Sequence, residues 1–514
     1  MKKFIFLLIV TLIFLSCSKA GSEKYTLLTV NSMNGQIFPK VKNNIKFGGF
    51  SLLSSNVKKI RSDKINGEVI LLGNSNFIYG EVETYFTSGK AVIDLMNEIG
   101  FNCMVIGHRE FYFGFDVLES LSKRAKFPFI SANIVKKDSS RFDFIKPYYI
   151  MPDNKTAIIG ISSLKVIKAN LEKDISEILL LDPSESLAKY SKLLRKKGIN
   201  KIIAVGDFMC VAEGDKSLKN YQFSEIIENS DIDVLIGTSN EKDRMDTNCI
   251  CNTIKSIKLL SSDIDGNEML LYSYNLKTGI EESQIFKINS NNSEPDKELS
   301  RTLHELNELV KETAGQVLGI SEDEISHLEG NLFNRESYLG DLISDIIREY
   351  TNTDIMLLNS GKVRNGFSKG PITLMDLYNI LPYEGTVVKV SMTGKQLLRV
   401  LESSCALKMS KSFLQVSGIK FKFDLSKNIY KRVLAESVII GGEKLQPEKK
   451  YSVSLTKYIF DGGDQYSEFS DMGIELEMVF QKQMREIIKQ YIQSNKTIRI
   501  HENSRITEIN DYKL

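Results

Sequence analysis

The chain has 514 residues, too many for one hydrophobic core, so two domains or three are expected. At 42% apolar and 26% charged, with no low-complexity tract, its composition is that of a globular protein. A net charge of +2 gives no ground for nucleic acid or an acidic surface as partner, and basic clusters such as LLRKKGINK read as solvated helix ends.

Met1 to Lys3 forms a short positive region, and Phe4 to Leu15 is an apolar run of signal-peptide length, too short to anchor across a bilayer. FLSC then places Cys17 after a small residue, ahead of polar SKAGSE, as in a bacterial lipoprotein signal. Residues 1–17 are therefore expected to be a leader with Cys17 lipidated; a plain secretory signal is the alternative. Either way the protein is expected to be exported; as a lipoprotein it is expected to meet the membrane through its lipid anchor only, on the periplasmic face or the cell surface.

The other cysteines are Cys103, Cys210, Cys249, Cys251 and Cys405, an odd number at irregular spacing from which no disulfide framework can be read. Cys103 and Cys210 lie in apolar runs and read as small core residues.

From residue 24 to 287, short apolar runs alternate with amphipathic stretches. YTLLTV, EVILLG, FNCMVIG, KTAIIGIS, NKIIAVG and DIDVLIG are predicted buried strands; GGFSLLSSNVKKIR and GKAVIDLMNEIG are predicted helices. Residues 288–315 open with a polar turn and Pro295, and continue with Leu299, Leu303, Leu306 and Val310 at helical spacing, a predicted connecting helix. Residues 316–514 are a second, smaller α/β domain. There YLGDLISDIIREY is a one-faced helix, DIMLLN a strand, SGKVRNGFSKG a loop, PITLMDLYNIL a short helix led by Pro371, TVVKVSMT a strand and GKQLLRVLES a helix.

Taken together, YTLLTVNSMNGQIFP, GGFSLL, FPFISANI, ESYLGDLISD, GPITLMDLYNILPY and GGDQY resemble, in order and spacing, the bacterial 5'-nucleotidase and UDP-sugar hydrolase family. The resemblance runs from about Tyr25 to Tyr466. It implies a metallophosphoesterase-like αββα sandwich followed by a C-terminal nucleoside-binding domain. In that family two divalent cations neutralise the phosphate and activate a bridging water.

The expected ligands are not matched here. Ser32 and Asn34 stand for the Asp and His of the opening motif, and Asn76 for the bridging Asp. His108 and Arg109 replace the ligand Asn and the assisting His; Asp207, Ser239 and Glu241 occupy the later ligand positions. Only four histidines exist in the chain, His108, His304, His327 and His501, where the family site alone uses about five. Asn76 cannot bridge two cations, and the Arg109 guanidinium would repel them. No metal cofactor is expected, although one weakly held divalent cation at His108, Asp207 and Glu241 is an alternative. Arg109 is expected to pair internally with Glu110, Asp207 or Glu241, or else to hold an anion.

The second domain keeps more of the pattern. The resemblance assigns Asn359, Gly361 and Arg364 to a substrate loop, and Tyr383 and Tyr458 to two rings that clamp a base. It assigns Gly463 and Asp464 to the turn that orients the nucleoside. Ser360, Lys362 and Gly385 depart from it, Lys362 by bringing a long side chain into a glycine-lined turn, and Arg335 is the one upstream arginine available for a phosphate. The expected partner is a nucleoside or nucleotide-like small molecule, with an inactive first domain. The alternatives are an active phosphohydrolase with a remodelled metal site, or a structural or interaction protein at the cell surface.

Overall fold

The computed structural model describes residues 24–163, 166, 177–209, 229–239, 252–254, 257–263, 266–325, 335–499 and 504–509. Cys17, Cys210, Glu241, Cys249, Cys251, His327 and His501 lie outside them. The chain forms two compact units, which divide after Leu306, inside the helix Lys297–Ala314. Leu299, Leu303 and Val310 are buried on that helix and His304 is exposed.

The first unit is built on two sheets. In space, one runs Glu281–Lys287, Glu268–Asn275, Lys24–Asn31, Glu68–Asn74, Cys103–Val105, Phe129–Ile130, Ile145–Lys146. The strands from Lys24 to Lys146 are parallel in sequence order. The other sheet carries Thr156–Ile161, Lys201–Met209, Val234–Ser239 and Ile257–Asp263 in parallel, with antiparallel edges.

Alternation along each strand decides what meets what. Leu27, Ile70 and Leu72 face inward against Ile158, Ile203, Val205 and Ile236 of the opposite sheet. Leu28, Val30, Leu71 and Met104 face outward, under the helices Phe50–Ser62, Lys90–Ile99 and Phe115–Arg124. Ile159, Ile202, Ala204 and Leu235 lie under Pro183–Lys196. The order is helix, sheet, sheet, helix, and both faces of each sheet are covered, as the unbroken apolar runs require.

The second unit centres on a five-stranded mixed sheet, ordered Leu414–Ser417, Ile355–Asn359, Lys450–Thr456, Thr386–Thr393, Leu476–Gln483. Tyr338–Thr351 and Met484–Asn495 pack on one face through Ile343, Ile347, Ile488 and Ile492 against Met356 and Leu358. Gly394–Ala406 packs on the other through Leu397 and Leu401 against Ile355 and Leu357.

One boundary differs from the sequence reading. Pro371 does not lead a helix: it lies in the short strand Gly370–Thr373, opposite Ile320. The helix begins at Leu374, where Thr373 and Asp376 exchange a reciprocal capping pair. Satisfying the first free N–H groups outweighs proline's preference for a first turn.

Candidate functional site

Open sheets of parallel strands place their loops at the strand C-termini, and the first unit gathers its candidate residues there. Ser32 and Asn34 follow Lys24–Asn31, Asn76 follows Glu68–Asn74, His108 and Arg109 follow Cys103–Val105, and Asp207 lies in Lys201–Met209. Ser32, Asn34, Ser75 and Asn76 all adopt positive φ, between 44° and 62°. These small polar residues tolerate the left-handed region, so the loops keep tight turns without glycine at each corner.

Asn76 is a hub of protein hydrogen bonds. Its Nδ2 donates to Ser32 Oγ at 3.3 Å and to Asp207 Oδ2 at 3.5 Å, and its Oδ1 accepts the Arg109 N–H at 3.3 Å. Asp207 is buried and also accepts from Thr238 Oγ1 at 3.4 Å. Both ends of the Asn76 amide are thus engaged where two cations would need a shared anionic oxygen.

The expected internal pair of Arg109 with Glu110 or Asp207 is not made. Glu110, 1% exposed, accepts the N–H groups of Asn76, Phe77, Ile78 and Gly107. Burial pushes its carboxyl above the usual range while those donors pull it back. They saturate its oxygens, and Arg109 turns its Nη1 to Tyr79 O at 3.1 Å instead. Glu110 is therefore the staple that shapes the two loops, a role its position in HREF did not disclose.

The described donors do not fit a two-cation centre. Among Ser32, Asn34, Asn76, His108 and Asp207 only Asp207 is an anion, and a guanidinium stands beside them. Among the described residues no group of three or more His, Cys, Asp or Glu side chains assembles as a metal site. Glu241 and the Ser239 side chain lie outside the description.

In the second unit the predicted residues meet in two linked groups. Asn359 ends the strand Ile355–Asn359 and donates from Nδ2 to Asp464 Oδ2 at 2.5 Å. The Tyr458 hydroxyl donates to Asp464 Oδ1 at 3.2 Å. Asp464 takes φ 51°, ψ 31° in the turn Gly463–Gln465, a left-handed corner that aims its carboxylate at both partners. A Cβ on Gly463 would lie 2.5 Å from Tyr458 O and 2.6 Å from ring atoms Cε1 and Cζ, so glycine lets that ring lie on the turn. Gly361 is required in the same way: a Cβ there would come within 2.9 Å of Lys411 Cβ.

The second group is Arg364 and Tyr383, with the guanidinium carbon 5.5 Å from the ring centroid, within cation–π range. Lys362 joins the groups. It is only 7% exposed, its Nζ donates to Glu384 O at 2.7 Å, next to Tyr383, and it stands 5.9 Å from the Tyr458 ring centroid. Arg335 is exposed and contributes its backbone carbonyl to Gln415 Nε2.

Ser360 and Tyr466 support this site; the sequence marked Ser360 only as a departure from the loop pattern and did not single out Tyr466. Ser360 Oγ donates to Phe413 O at 2.7 Å, and the buried Tyr466 hydroxyl donates to Ser412 O at 2.8 Å. Both tie the loop after Asn359 and the GGDQY turn to one segment, residues 411–413. The signal for Tyr466 was an aromatic two residues past Asp464, inside a motif read only for its glycines and acid.

Residues 317–471 match the sequence model of the 5'-nucleotidase C-terminal domain. A 5'-nucleotidase of Vibrio cholerae is 24% identical over 525 residues, covering 93% of this chain and 92% of its own. The structure of a 5'-nucleotidase precursor from Thermus thermophilus is similar at a TM-score of 0.69 and 20% identity, over 95% of this chain and all of that one. A Staphylococcus aureus protein described as a 5'-nucleotidase, solved with α-ketoglutarate, is similar at a TM-score of 0.77 and 16% identity, over 94% of this chain and 99% of that one. The chain thus carries the sequence pattern of a 5'-nucleotidase C-terminal domain over residues 317–471, and over most of its length it resembles the 5'-nucleotidase family in sequence and shares the fold of its two-domain members.

Proposed function

We propose that this protein is an exported, lipid-anchored member of the family that binds a nucleoside or nucleotide in its C-terminal domain and does not hydrolyse it. One observation carries the proposal: Asn359, Asp464, Tyr458 and Gly463 form one hydrogen-bonded and packed group, with the Arg364–Tyr383 pair beside it, while Asn76 spends its amide on protein partners.

In this reading Tyr383 and Tyr458 offer flat faces to a base, at about 1–3 kcal/mol per stack. Asp464 holds Tyr458 through its hydroxyl, and its carboxylate has lone pairs left for the hydroxyls of a sugar. Arg364 holds the face of Tyr383 and supplies charge for a phosphate. No metal cofactor is part of the proposal, no nucleic acid is a partner, and the membrane is reached through a lipid on Cys17. Lipidation and export rest on the sequence of residues 1–17.

Thermal shift against a panel of nucleosides and 5'-nucleotides tests binding. Stabilisation by one or more is expected, and no response from the intact protein sinks the proposal. Phosphate release with manganese, cobalt or zinc tests inactivity. Turnover that disappears in Asp207→Ala would instead support a single-cation hydrolase using His108, Asp207 and Glu241.

A further inference from the structure

The second unit carries a surface that the nucleoside site does not use. The strand Ile419–Asp424 turns back through residues 425–432, with Asp424 N donating to Arg432 O at 2.9 Å and Phe423 bridging Val433. The tip reads LSKNIYKR, with three basic residues and no acidic one. Ile429 is 56% exposed and Tyr430 62%. Tyr430 sits at φ 66°, a region a bulky side chain rarely occupies.

The tip is held firmly from behind. Arg432 N and Val433 N donate to the Glu402 carboxylate at 2.9 Å each, and Arg432 Nη1 donates to Cys405 O at 3.1 Å, which fastens the turn to the helix Gly394–Ala406. Just beyond that helix, Met409 is 71% exposed at φ 73°, between Lys408 and Lys411. Lys408 Nζ stands 5.7 Å from the Phe423 ring, which sets this second apolar tip beside the base of the first. Lys427, Lys431 and Lys411 are exposed around them.

We propose that this double tip is a membrane-contacting surface, inserting Ile429, Tyr430 and Met409 into the headgroup layer of an anionic bilayer. A convex turn with a few apolar side chains is far smaller than the roughly 800 Å² that a stable protein interface takes from each partner. It suits an interfacial layer, where Tyr sits with its ring in apolar surroundings and its hydroxyl in water. The basic collar has the charge sign that anionic lipid attracts. The rigid backing holds the turn that carries the left-handed corner at Tyr430, so little order need be gained there on contact. This surface is independent of any lipid on Cys17.

The chain has no tryptophan, so Tyr430→Trp in the full chain makes a unique reporter at the tip. With phosphatidylglycerol-rich vesicles its emission is expected to shift to the blue and to be quenched by brominated acyl chains; with phosphatidylcholine alone neither is expected. Lys427→Glu with Lys431→Glu in the same background should weaken the titration by at least about 25-fold. Because an anchor elsewhere would carry the chain to either vesicle without burying the tip, the reporter reads this contact alone. Ile429→Trp serves if Tyr430→Trp does not fold. Emission unchanged by anionic vesicles overturns the proposal, as does a shift that survives the double charge reversal. A blue shift with rising protein concentration and no lipid also overturns it, assigning the surface to a second copy.

Discussion

Asn359 and Asp464, 105 residues apart in sequence, are joined by a hydrogen bond of 2.5 Å from the Asn359 amide to the Asp464 carboxylate. The bond pins the loop after Asn359 to the Gly463–Gln465 turn and, through the second carboxylate oxygen, to Tyr458. Asp464→Asn keeps the shape but removes the charge that strengthens both bonds. It should lower stability by about 1–3 kcal/mol and weaken nucleoside binding, with Asp464→Ala worse on both counts. Thermal melts and calorimetry on the two variants check the order.

The two rings can be separated by what they lose. Tyr383→Ala and Tyr458→Ala each remove a stacking face and should weaken binding by roughly 5- to 150-fold. Tyr458→Phe keeps the face and loses only the hydroxyl bonded to Asp464, so its cost should stay within about tenfold. Equal losses for Tyr458→Phe and Tyr458→Ala would show that the ring is not a stacking platform.

Gly463→Ala places a methyl 2.5 Å from Tyr458 O and against its ring. Neither the backbone oxygen nor the packed ring can withdraw cheaply, so the variant should lose about 1–3 kcal/mol and melt several degrees lower. Gly473→Ala, with nothing within 4 Å of its added Cβ but at φ 61°, is the comparison: it should show the left-handed strain alone and a smaller loss.

Asp341 sets a pH dependence. It is 3% exposed and its Oδ1 lacks a hydrogen-bond partner. Arg505 grips Asp345 at 2.6 Å and stands 3.7 Å from Asp341, so it serves the first carboxylate and only partly offsets the burial of the second. Burial, and then the neighbouring Glu336, push the Asp341 carboxyl up to about 9. The folded state therefore holds a proton that the unfolded chain releases near pH ~4. Stability contributed by this group falls as pH rises from about 4 towards 9 and levels off above that. Asp341→Asn should flatten that slope, with its largest relative gain at the alkaline end of a melt series.

The layers of both units were legible because buried strands and one-faced helices leave unbroken or periodic apolar runs, from YTLLTV to YLGDLISDIIREY. The helix at Leu374 was misplaced because Pro371 and the Thr373–Asp376 cap are both start signals, and only the strand partner Ile320 decides between them. In the site, residue types at matched spacing pointed to Asn359, Tyr458 and Asp464, which do meet. Lys362 bridging to Glu384, Glu110 collecting backbone donors, and Arg109 turning to Tyr79 were not readable, because each depends on contacts made across loops rather than on local pattern.

Calorimetric titration of 5'-nucleotides into the purified protein, with and without manganese, reads binding and turnover together. The expected result is saturable heat that returns to baseline after each injection, manganese-independent, and lost in the Tyr383→Ala, Tyr458→Ala double variant. Sustained heat of hydrolysis, or no saturable heat from any nucleotide, would contradict a protein that holds its ligand without cleaving it.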